Sequence, residues 1–372
     1  MIIDNKRTIV NFSNSILKHF GVEPFHNTIP EIDEVLKGHK KVVVLLFDGF
    51  GQYIQDKNHK CCKTIIKNRL TTIRSTFPPT TVAATTGCQT GRFPIESAWM
   101  SWIQYIPDLK RNIEVFKNKD PLTREVLQPD DNLIFDEYSP RMSIINKINE
   151  IKGKTIAFDM ESIYGSFKGP KYLTIARWQL NKLLRQHKDE FFMYYYFESP
   201  DHEMHRYGTT SRQTRFTIRR IEAFTKKIAK QNKDTLFLVI SDHGLIDCTY
   251  FDLHDYPDFI SLLDEEKPLS FEKRSQTFFV KKGNEKKFEE LFKKYFGEHF
   301  ELYTKQEVWD KKLYGEGDKN PLADIFLGDY LAVSKDTYCF LDHRIENPFL
   351  MKSAHAGGTE EEMQIAVSAF NK

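Results

Sequence analysis

The sequence lacks the features that mark secreted, membrane-spanning or nucleic-acid-binding proteins. Its five cysteines are odd in number and follow neither a disulfide framework nor a Cys-x-x-Cys zinc pattern. The longest uncharged apolar runs, 42–47 and 191–197, are far shorter than the about 20 residues that span a bilayer. The formal net charge is +2, whereas a dedicated nucleic-acid binder normally carries a marked basic excess. We therefore predict a cytoplasmic protein without a membrane or a stable nucleic-acid partner.

Linkers and low-complexity tracts are also missing from the 372 residues. This length favours two domains, or one large α/β domain that carries an insertion. Apolar residues make up 40% of the chain, which is ample material for a core.

Three continuous β-branched or aromatic runs predict buried parallel strands, because each run ends in a polar cluster. They are Lys41–Phe47, Phe191–Phe197 and 235–241, and a shorter strand is predicted at 155–158. Helical spacing of apolar residues lies between these runs. It is found in Ile9, Phe12, Ile16 and Phe20, and again in Ile218, Ile221, Phe224 and Ile228. The alternation predicts an α/β fold with a mostly parallel central sheet and helices on both faces.

The segment 252–322 has a different pattern and predicts a small α/β cap, inserted between core segments 1–251 and 323–372. Within it we predict a strand at 277–281, a helix at Glu285–Phe296 and a return strand at Phe300–Thr304. The residues of this helix that we expect to face inward are Phe288, Leu291, Phe292 and Tyr295.

Acidic and imidazole side chains follow directly after each of the three strong strands. Asp48 follows the first strand, Asp201 and His205 follow the second, and Asp242 and His243 follow the third. Ligands bind outside the carboxyl ends of the strands in an open α/β sheet. We therefore expect these five side chains at one edge of the sheet.

Their spacing predicts metal ligation. If Pro200 opens a helix, Asp201 and His205 share one of its faces and can hold one metal. His355, in the run His-Ala-Gly-Gly, offers a further imidazole in a loop. A single such motif is more often a turn or a surface pair, and it is their occurrence together that indicates a metal site. Mixed carboxylate and imidazole ligation suits Zn²⁺, with Mn²⁺ as the alternative.

The segment 77–87 predicts a helix that begins after two prolines. A hydroxyl of Thr80 or Thr81 at its N-terminus would lie where the helix dipole favours anions. Either threonine could simply cap the helix. Beside a metal, however, a threonine becomes a credible nucleophile, because bound Zn²⁺ stabilises an alkoxide.

Taken together, these motifs resemble the alkaline phosphatase superfamily, and most closely its nucleotide pyrophosphatase/phosphodiesterase branch. The matching stretches, in the family's order, are 48–51, 77–91, 198–205, 241–244 and 355–358. The family places a proline three residues before its nucleophile and a glycine ten after it. Pro78 and Gly91 satisfy both spacings only for Thr81.

The resemblance implies two divalent ions, most often zinc. Carried over by position, the ligands of one zinc are Asp201, His205 and His355, and those of the other are Asp48, Asp242, His243 and Thr81. It implies hydrolysis of phosphodiester or pyrophosphate bonds in a small, nucleotide-like substrate. Thr81 would form a covalent phosphothreonine, which activated water would then hydrolyse. Three aspartates against two divalent ions leave a local positive charge, so the attraction for phosphate would come from the metals.

The run 94–102 departs from the family, because it lacks a His-Gly pair and has Trp102 near the place of a phosphate-contacting asparagine. Trp102 is our candidate substrate-binding residue, through its indole N–H or by stacking, and core packing is the alternative. We expect substrate preference to lie in the cap and in the loops 99–105 and 249–256. Two other functions remain open: a phosphomonoesterase of the same superfamily, and a non-catalytic binding module, against which the intact ligand set argues. The oligomeric state is open too.

Overall fold

The computed structural model describes residues 3–127, 143–159, 172–345 and 348–372. The helices are α1 Ile9–His19, α2 Pro30–Leu36, α3 Gln52–Lys57, α4 Lys63–Lys67, α5 Thr81–Thr90, α6 Pro94–Ser97, α7 Ile144–Lys152, α8 Tyr172–Gln186, α9 Asp201–Tyr207, α10 Arg212–Gln231, α11 Pro257–Ile260, α12 Glu285–Phe296, α13 Lys305–Asp310, α14 Pro321–Phe326 and α15 Glu360–Met363. Within those four ranges, none of the helices has the length and apolar character needed to cross a membrane.

The strands fall into two larger sheets and several short pairs. They are β1 Lys41–Phe47, β2 Arg69–Arg74, β3 Ile103–Ile106, β4 Arg111–Glu114, β5 Ala157–Asp159, β6 Phe191–Phe197, β7 Leu236–Ile240, β8 Ile246–Asp247, β9 Thr249–Asp252, β10 Ser270–Glu272, β11 Ser275–Phe278, β12 Phe300–Thr304, β13 Tyr330–Ser334, β14 Tyr338–Leu341, β15 Ser353–Ala354 and β16 Gln364–Phe370.

The main sheet has six strands in the order β2-β16-β7-β1-β6-β5. Strand β1 runs parallel to β6 and β7, β5 runs parallel to β6, and β16 is antiparallel to both of its neighbours. The predicted mostly parallel sheet is therefore confirmed. Phe47 pairs with Phe197, and Leu46 pairs with Ile240. As a result β1, β6 and β7 end at the same edge.

Helices cover both faces of this sheet, as predicted. Because side chains alternate along a strand, β1 contributes to two separate apolar clusters. One cluster packs against α1 and includes Val42, Val44, Leu46, Ile9, Phe12 and Ile16. The other packs against α10 and includes Val43, Leu45, Phe47, Ile218, Ile221, Phe224 and Ile228. Burial on both faces explains why the strand is a continuous apolar run.

Local hydrogen bonds shift the predicted strand ends by a few residues. The strand predicted at 155–158 is β5, Ala157–Asp159, because the amides of Ile156 and Ala157 donate to Oδ1 of Asn149 on α7. The strand predicted at 277–281 is β11, Ser275–Phe278, because the amide of Val280 leaves the ladder and donates to Asp329. The strand predicted at 235–241 is β7, Leu236–Ile240, which is one residue shorter at each end.

Neither of the two predicted substrate loops is purely a loop, so this part of the prediction is wrong. Residues 103–106 form β3, which pairs with β4, and residues 249–252 form β9, which pairs with β14. Neither segment has the strong apolar run that marks the strands of the main sheet. Strand β3 pairs with the adjacent strand β4, whereas β9 pairs with β14, which is distant in the sequence. Their role in substrate preference stays a prediction.

A second, antiparallel sheet has the order β10-β11-β13-β12. Helix α12 buries Phe288, Phe292 and Phe296 against it. Leu291 and Tyr295, which we expected to face inward, are only partly buried at the margin of this stripe. Strand β13 lies after the segment 252–322 in the sequence and is nevertheless a strand of this second sheet. The division into domains stays a prediction.

Candidate metal and nucleophile site

Asp48 and Asp242 lie at the carboxyl edge of the main sheet, beside one another. Both side chains are buried. The amides of Gly49 and His243 each donate to Oδ1 of Asp242, at 3.0 Å. This leaves Oδ2 of Asp242 facing the imidazole of His243, 3.4 Å from its Nε2. Oδ1 of Asp48 lies 3.3 Å from the same nitrogen.

Asp201 and His205 lie on α9, as their spacing predicts. The amide of Asp201 donates to the carbonyl of Asp48 at 3.1 Å, which fixes the start of the helix against the end of β1. One helical turn later, Nε2 of His205 lies 3.2 Å from Oδ2 of Asp201. The other ring nitrogen of His205 contacts the carbonyl of Ser353 at 2.7 Å.

His355 reaches the site from the C-terminal part of the chain. The short pairing of β15 with β8 and a 2.6 Å hydrogen bond from Ser353 to the carbonyl of Met204 hold its loop beside α9. The ring centroid of His355 lies 5.2 Å from that of His205 and 4.0 Å from that of His243. The structure thus brings together all the metal-ligand candidates named from the sequence.

Two overlapping groups of ligand atoms result. The candidate ligand atoms of Asp201, His205 and His355 lie within 4.8 Å of one another, which is the first set expected from the sequence. The second group consists of Asp48, Asp201 and His243, whose ligand atoms also lie within 4.8 Å of one another. The sequence predicted Asp242 as the third member of this group instead of Asp201. Asp242 remains adjacent to this group through its contact with His243.

The donor atoms fit divalent cations. A carbonyl oxygen only accepts hydrogen bonds, so Nδ1 carries a proton in both rings: it donates to Ser353 in His205, and to Gly244 at 3.1 Å in His243. In a neutral ring the lone pair of Nε2 then faces carboxylate oxygens, and a cation bound between these acceptors would satisfy both. Several of the buried atoms have no hydrogen-bond partner: Asp48 Oδ1, Asp201 Oδ1, Asp242 Oδ2 and His355 Nδ1. Carboxylates and imidazoles of this kind are ligands for zinc.

The electrostatics of the protein atoms alone agree with this fit. Burial, together with the carboxylates of Asp242 and Asp201, raises the pKa of Asp48 well above its usual range. Burial opposes the charged forms of Asp201 and His205, but their mutual attraction outweighs it, lowering the pKa of Asp201 and raising that of His205. Burial and the nearby His243 lower the pKa of His355 well below its ordinary value. Cations would relieve the repulsion among the carboxylates.

The two candidate nucleophiles face different groups. Thr81 is the first residue of α5, and its Oγ1 lies 3.4 Å from Oδ2 of Asp48 and 3.2 Å from Nε2 of His243. Thr80 precedes the helix, and its hydroxyl donates to Oε1 of Glu272 at 2.7 Å. Thr81 is therefore the threonine that lies against the metal-ligand groups, at a helix N-terminus that favours anions.

Sequence reasoning missed two polar residues at this site. The hydroxyl of Tyr196 donates a short hydrogen bond to Oδ2 of Asp48. Glu272, at the end of β10, accepts from Thr80 and from the amide of Trp102 at 3.0 Å. Burial raises the pKa of Glu272, although these two hydrogen bonds act in the opposite direction. Tyr196 sits in an aromatic strand that otherwise indicates core, and Glu272 comes from a distant segment, so neither had a local signal.

Trp102 is half-buried and packs against the main core cluster. Its ring lies 6.0 Å from that of Phe116, and the Lys117 ammonium lies 5.0 Å from the ring centroid. These contacts hold the indole at the rim of the core. A contact between Trp102 and substrate stays a prediction.

The fold and the site define an α/β protein with two candidate metal-ligand groups at the carboxyl edge of its sheet. A model of the Type I phosphodiesterase / nucleotide pyrophosphatase family matches residues 42–358, so the chain belongs to this family. The predicted place in the alkaline phosphatase superfamily is confirmed. Membership supports a hydrolase of phosphodiester or pyrophosphate bonds.

Solved structures with the same fold include ectonucleotide pyrophosphatase/phosphodiesterase 5 from mouse and human. The murine protein is 18% identical with a TM-score of 0.64, over 89% of this chain and 88% of its own. The human protein is 15% identical with a TM-score of 0.62, over 89% and 87%. A further murine structure is an inactive threonine-to-alanine variant in complex with AMP. No curated protein matches the chain significantly.

Proposed function

We propose that this protein is a two-zinc hydrolase that cleaves phosphodiester or pyrophosphate bonds of a small, nucleotide-like substrate through a phosphothreonine at Thr81. The observation that carries the proposal is the position of Thr81 Oγ1, 3.2 Å from His243 and 3.4 Å from Asp48. It places one hydroxyl at a helix N-terminus and beside unpartnered ligand atoms. Family membership supports the reaction class.

Two groups of residues would hold the metal ions. Asp201, His205 and His355 would hold one ion, and Nδ1 of His205 contacts the backbone carbonyl of Ser353. Asp48 and His243 would hold the other ion, with Asp242 and Asp201 as the nearest further carboxylates. When bound, a pair of divalent ions supplies charge stabilisation for the attacking and leaving oxygens and lowers the pKa of water.

The protein groups position the reacting atoms. Thr81 loses its hydroxyl proton and attacks phosphorus, so that the bond from its Oγ1 to phosphorus forms as the bond to the leaving oxygen breaks, and the leaving group takes up a proton. The oxygen of a water molecule then bonds to phosphorus as the Oγ1–phosphorus bond breaks, which releases the phosphate product, and a proton from that water regenerates the Thr81 hydroxyl. The backbone anchors of Asp242 and His205 keep these side chains in place, because outer hydrogen bonds fix the orientation of a ligand.

The substrate class rests on two supports. The family is named for nucleotide pyrophosphatase activity, and one structural neighbour is in complex with AMP. We propose a nucleotide-like substrate on these grounds. The alternative is a phosphomonoesterase of the same superfamily, and the experiment below can detect this activity.

Metal analysis and paired substrates test the proposal. We expect the purified full chain to hold two divalent ions, and to hydrolyse bis(4-nitrophenyl) phosphate faster than 4-nitrophenyl phosphate. A strong chelator should abolish the activity, and Zn²⁺ should restore it better than Mn²⁺. Faster monoester cleavage would indicate a phosphomonoesterase, and bound metal without hydrolysis of either ester would indicate a binding module. Hydrolysis that survives complete metal removal would contradict the proposal.

A further inference from the structure

A fully buried ion pair joins Arg274 to Glu362, which lie 88 positions apart in the chain. The pair is bidentate: Nε donates to Oε1 at 2.7 Å and Nη2 donates to Oε2 at 2.9 Å. The guanidinium also donates to the carbonyls of Tyr338 and Asp336. Arg274 lies in the turn between β10 and β11, whereas Glu362 lies on α15, just before β16. The pair therefore joins the second sheet to the last strand of the main sheet.

Glu362 also holds two of the loops that carry candidate metal ligands. Its Oε1 accepts from the amide of Gly357 at 2.8 Å, two residues after His355. Its backbone carbonyl accepts from the amide of Gly244 at 2.8 Å, one residue after His243. Glu362 thus holds the backbone near His355 through its carboxylate, and the backbone next to His243 through its main-chain carbonyl.

The Gly357 loop packs directly onto the ion pair, and Gly244 packs onto the backbone beside Glu362, with no room for a side chain at either position. A Cβ atom at Gly357 would lie 2.7 Å from both Nη2 of Arg274 and Oε2 of Glu362. A Cβ atom at Gly244 would collide with the carbonyl oxygen of Glu361. A displacement of the pair therefore acts directly on the Gly357 backbone, and on Gly244 through the main chain of α15.

The second sheet takes part in the same network. The carbonyl of Arg274 accepts from the amide of Ser334 on β13 at 2.8 Å, and the carbonyl of Ser334 accepts from the amide of Gly358 at 2.9 Å. The His355 loop is therefore attached to the second sheet through both the side chain and the backbone of Arg274.

Stability alone is a poor explanation for this arrangement. Desolvating two charges offsets most of their attraction, and well-packed apolar pairs are often at least as stable as buried ion pairs. An apolar pair, however, would have no carboxylate oxygen to accept the hydrogen bond from the Gly357 amide. Hydrogen bonds to ligating side chains orient metal ligands in other proteins, and this one acts on the backbone that carries His355.

We propose that Arg274 and Glu362 are positioning residues that fix His355 and His243 for metal binding and couple the second sheet to the metal centre. The proposal rests on the proposed function, because it requires that these histidines hold a metal. Neither residue belongs to the candidate metal ligands or is the proposed nucleophile. Their effect is exerted through the backbone at Gly357 and Gly244.

Zinc affinity of the apoprotein, measured against a competing chelator, tests the proposal. The double variant Arg274→Met/Glu362→Met removes both charges together and keeps the interior apolar. We expect its Tm without metal to fall, because the carbonyls of Tyr338 and Asp336 and the amide of Gly357 lose their partners. Its zinc affinity should fall at least tenfold for one of the two ions. Hydrogen exchange at the Gly357 amide should become faster in the same metal-free protein.

Lys41→Met provides the matched control. Lys41 pairs with Asp234 at 2.7 Å, at the start of β1 and so at the opposite edge of the sheet. This variant also removes the cation of an ion pair, and we expect it to bind zinc with wild-type affinity. A loss of affinity equal to that of the double variant would show that the effect is general, and would overturn the proposal.

A second variant covers the case in which the double variant does not fold. Arg274→Lys keeps the charge but cannot bind the carboxylate in two places, so an intermediate loss of zinc affinity is expected. Unchanged zinc affinity in the folded variants, with or without a lower Tm, would overturn the positioning role alone. A wild-type protein that binds no zinc would overturn the proposed function, and this inference with it.

Discussion

The hydroxyl of Tyr196 donates a short hydrogen bond to Oδ2 of Asp48, inside the cluster of candidate metal ligands. The same oxygen lies 3.4 Å from the hydroxyl of Thr81, while Oδ1 of Asp48 faces His243. The two oxygens of one carboxylate are therefore used differently. Oδ2 contacts hydroxyl donors of the protein, and Oδ1 has no hydrogen-bond partner and is free to bind a cation.

Tyr196→Phe should weaken metal binding and activity without unfolding the protein. The variant removes the donor that holds Asp48, and such outer contacts typically contribute about 10-fold to 100-fold in metal affinity or activity. Metal content after dialysis and the rate of diester hydrolysis measure the effect. Tyr195→Phe, on the opposite face of the same strand, is the control and should retain both properties. Equal behaviour of the two variants would contradict the role given to Tyr196.

Thr81→Ala should lower diester hydrolysis by at least about 1,000-fold, because it removes the proposed nucleophile. Thr80→Ala should retain most of the activity, since the Thr80 hydroxyl donates to Glu272 and not to a candidate metal ligand. Acid quenching during turnover, followed by mass spectrometry, should find a phosphoryl group on the peptide that contains Thr81. Comparable activity of wild type and Thr81→Ala would refute the nucleophile assignment.

His355→Ala should reduce the bound metal to about one ion per chain. His355 belongs to one of the two ligand groups, and its Nδ1 is buried without a hydrogen-bond partner. His202→Ala, on the same helix as His205 but outside both groups, should keep the full metal content. Elemental analysis of the purified variants gives the answer directly. Full metal content in His355→Ala would remove His355 from the ligand set.

The sequence predicted the parts of the site that depend on strand ends. Asp48, Asp201 and Asp242 each follow a continuous apolar strand, and parallel pairing in register brings such ends to one edge. Glu272 could not be found in this way, because it reaches Thr80 from 192 positions away through the second sheet. No local spacing encodes such a contact. The cytoplasmic location and the division into domains stay predictions.

Removing the carboxylate of Glu272 should destabilise the protein locally. Glu272→Ala leaves the Thr80 hydroxyl and the Trp102 amide without their acceptor, which costs about 1–3 kcal/mol for buried polar groups. Glu272→Gln keeps a carbonyl acceptor of the same length and should lose less. Thermal unfolding of both variants in the metal-free state measures the difference. An alanine variant as stable as the glutamine variant would show that these hydrogen bonds contribute little.

Ala356 occupies a backbone conformation that favours glycine, next to the candidate ligand His355. Its φ is +80°, and a left-handed conformation costs an L-residue about 1–2 kcal/mol. Glycine relieves this strain but loses about 0.4–1 kcal/mol through the freedom of the unfolded chain, and about 0.8 kcal/mol through the loss of a fully buried methyl group. Because these terms nearly cancel, we expect Ala356→Gly to leave the Tm close to that of the wild type, as measured by calorimetry without metal. Ala354→Gly, in strand β15 of the same loop, has no positive φ to relieve and should lower the Tm. If both substitutions lower the Tm equally, strain at Ala356 is not a feature of the folded protein.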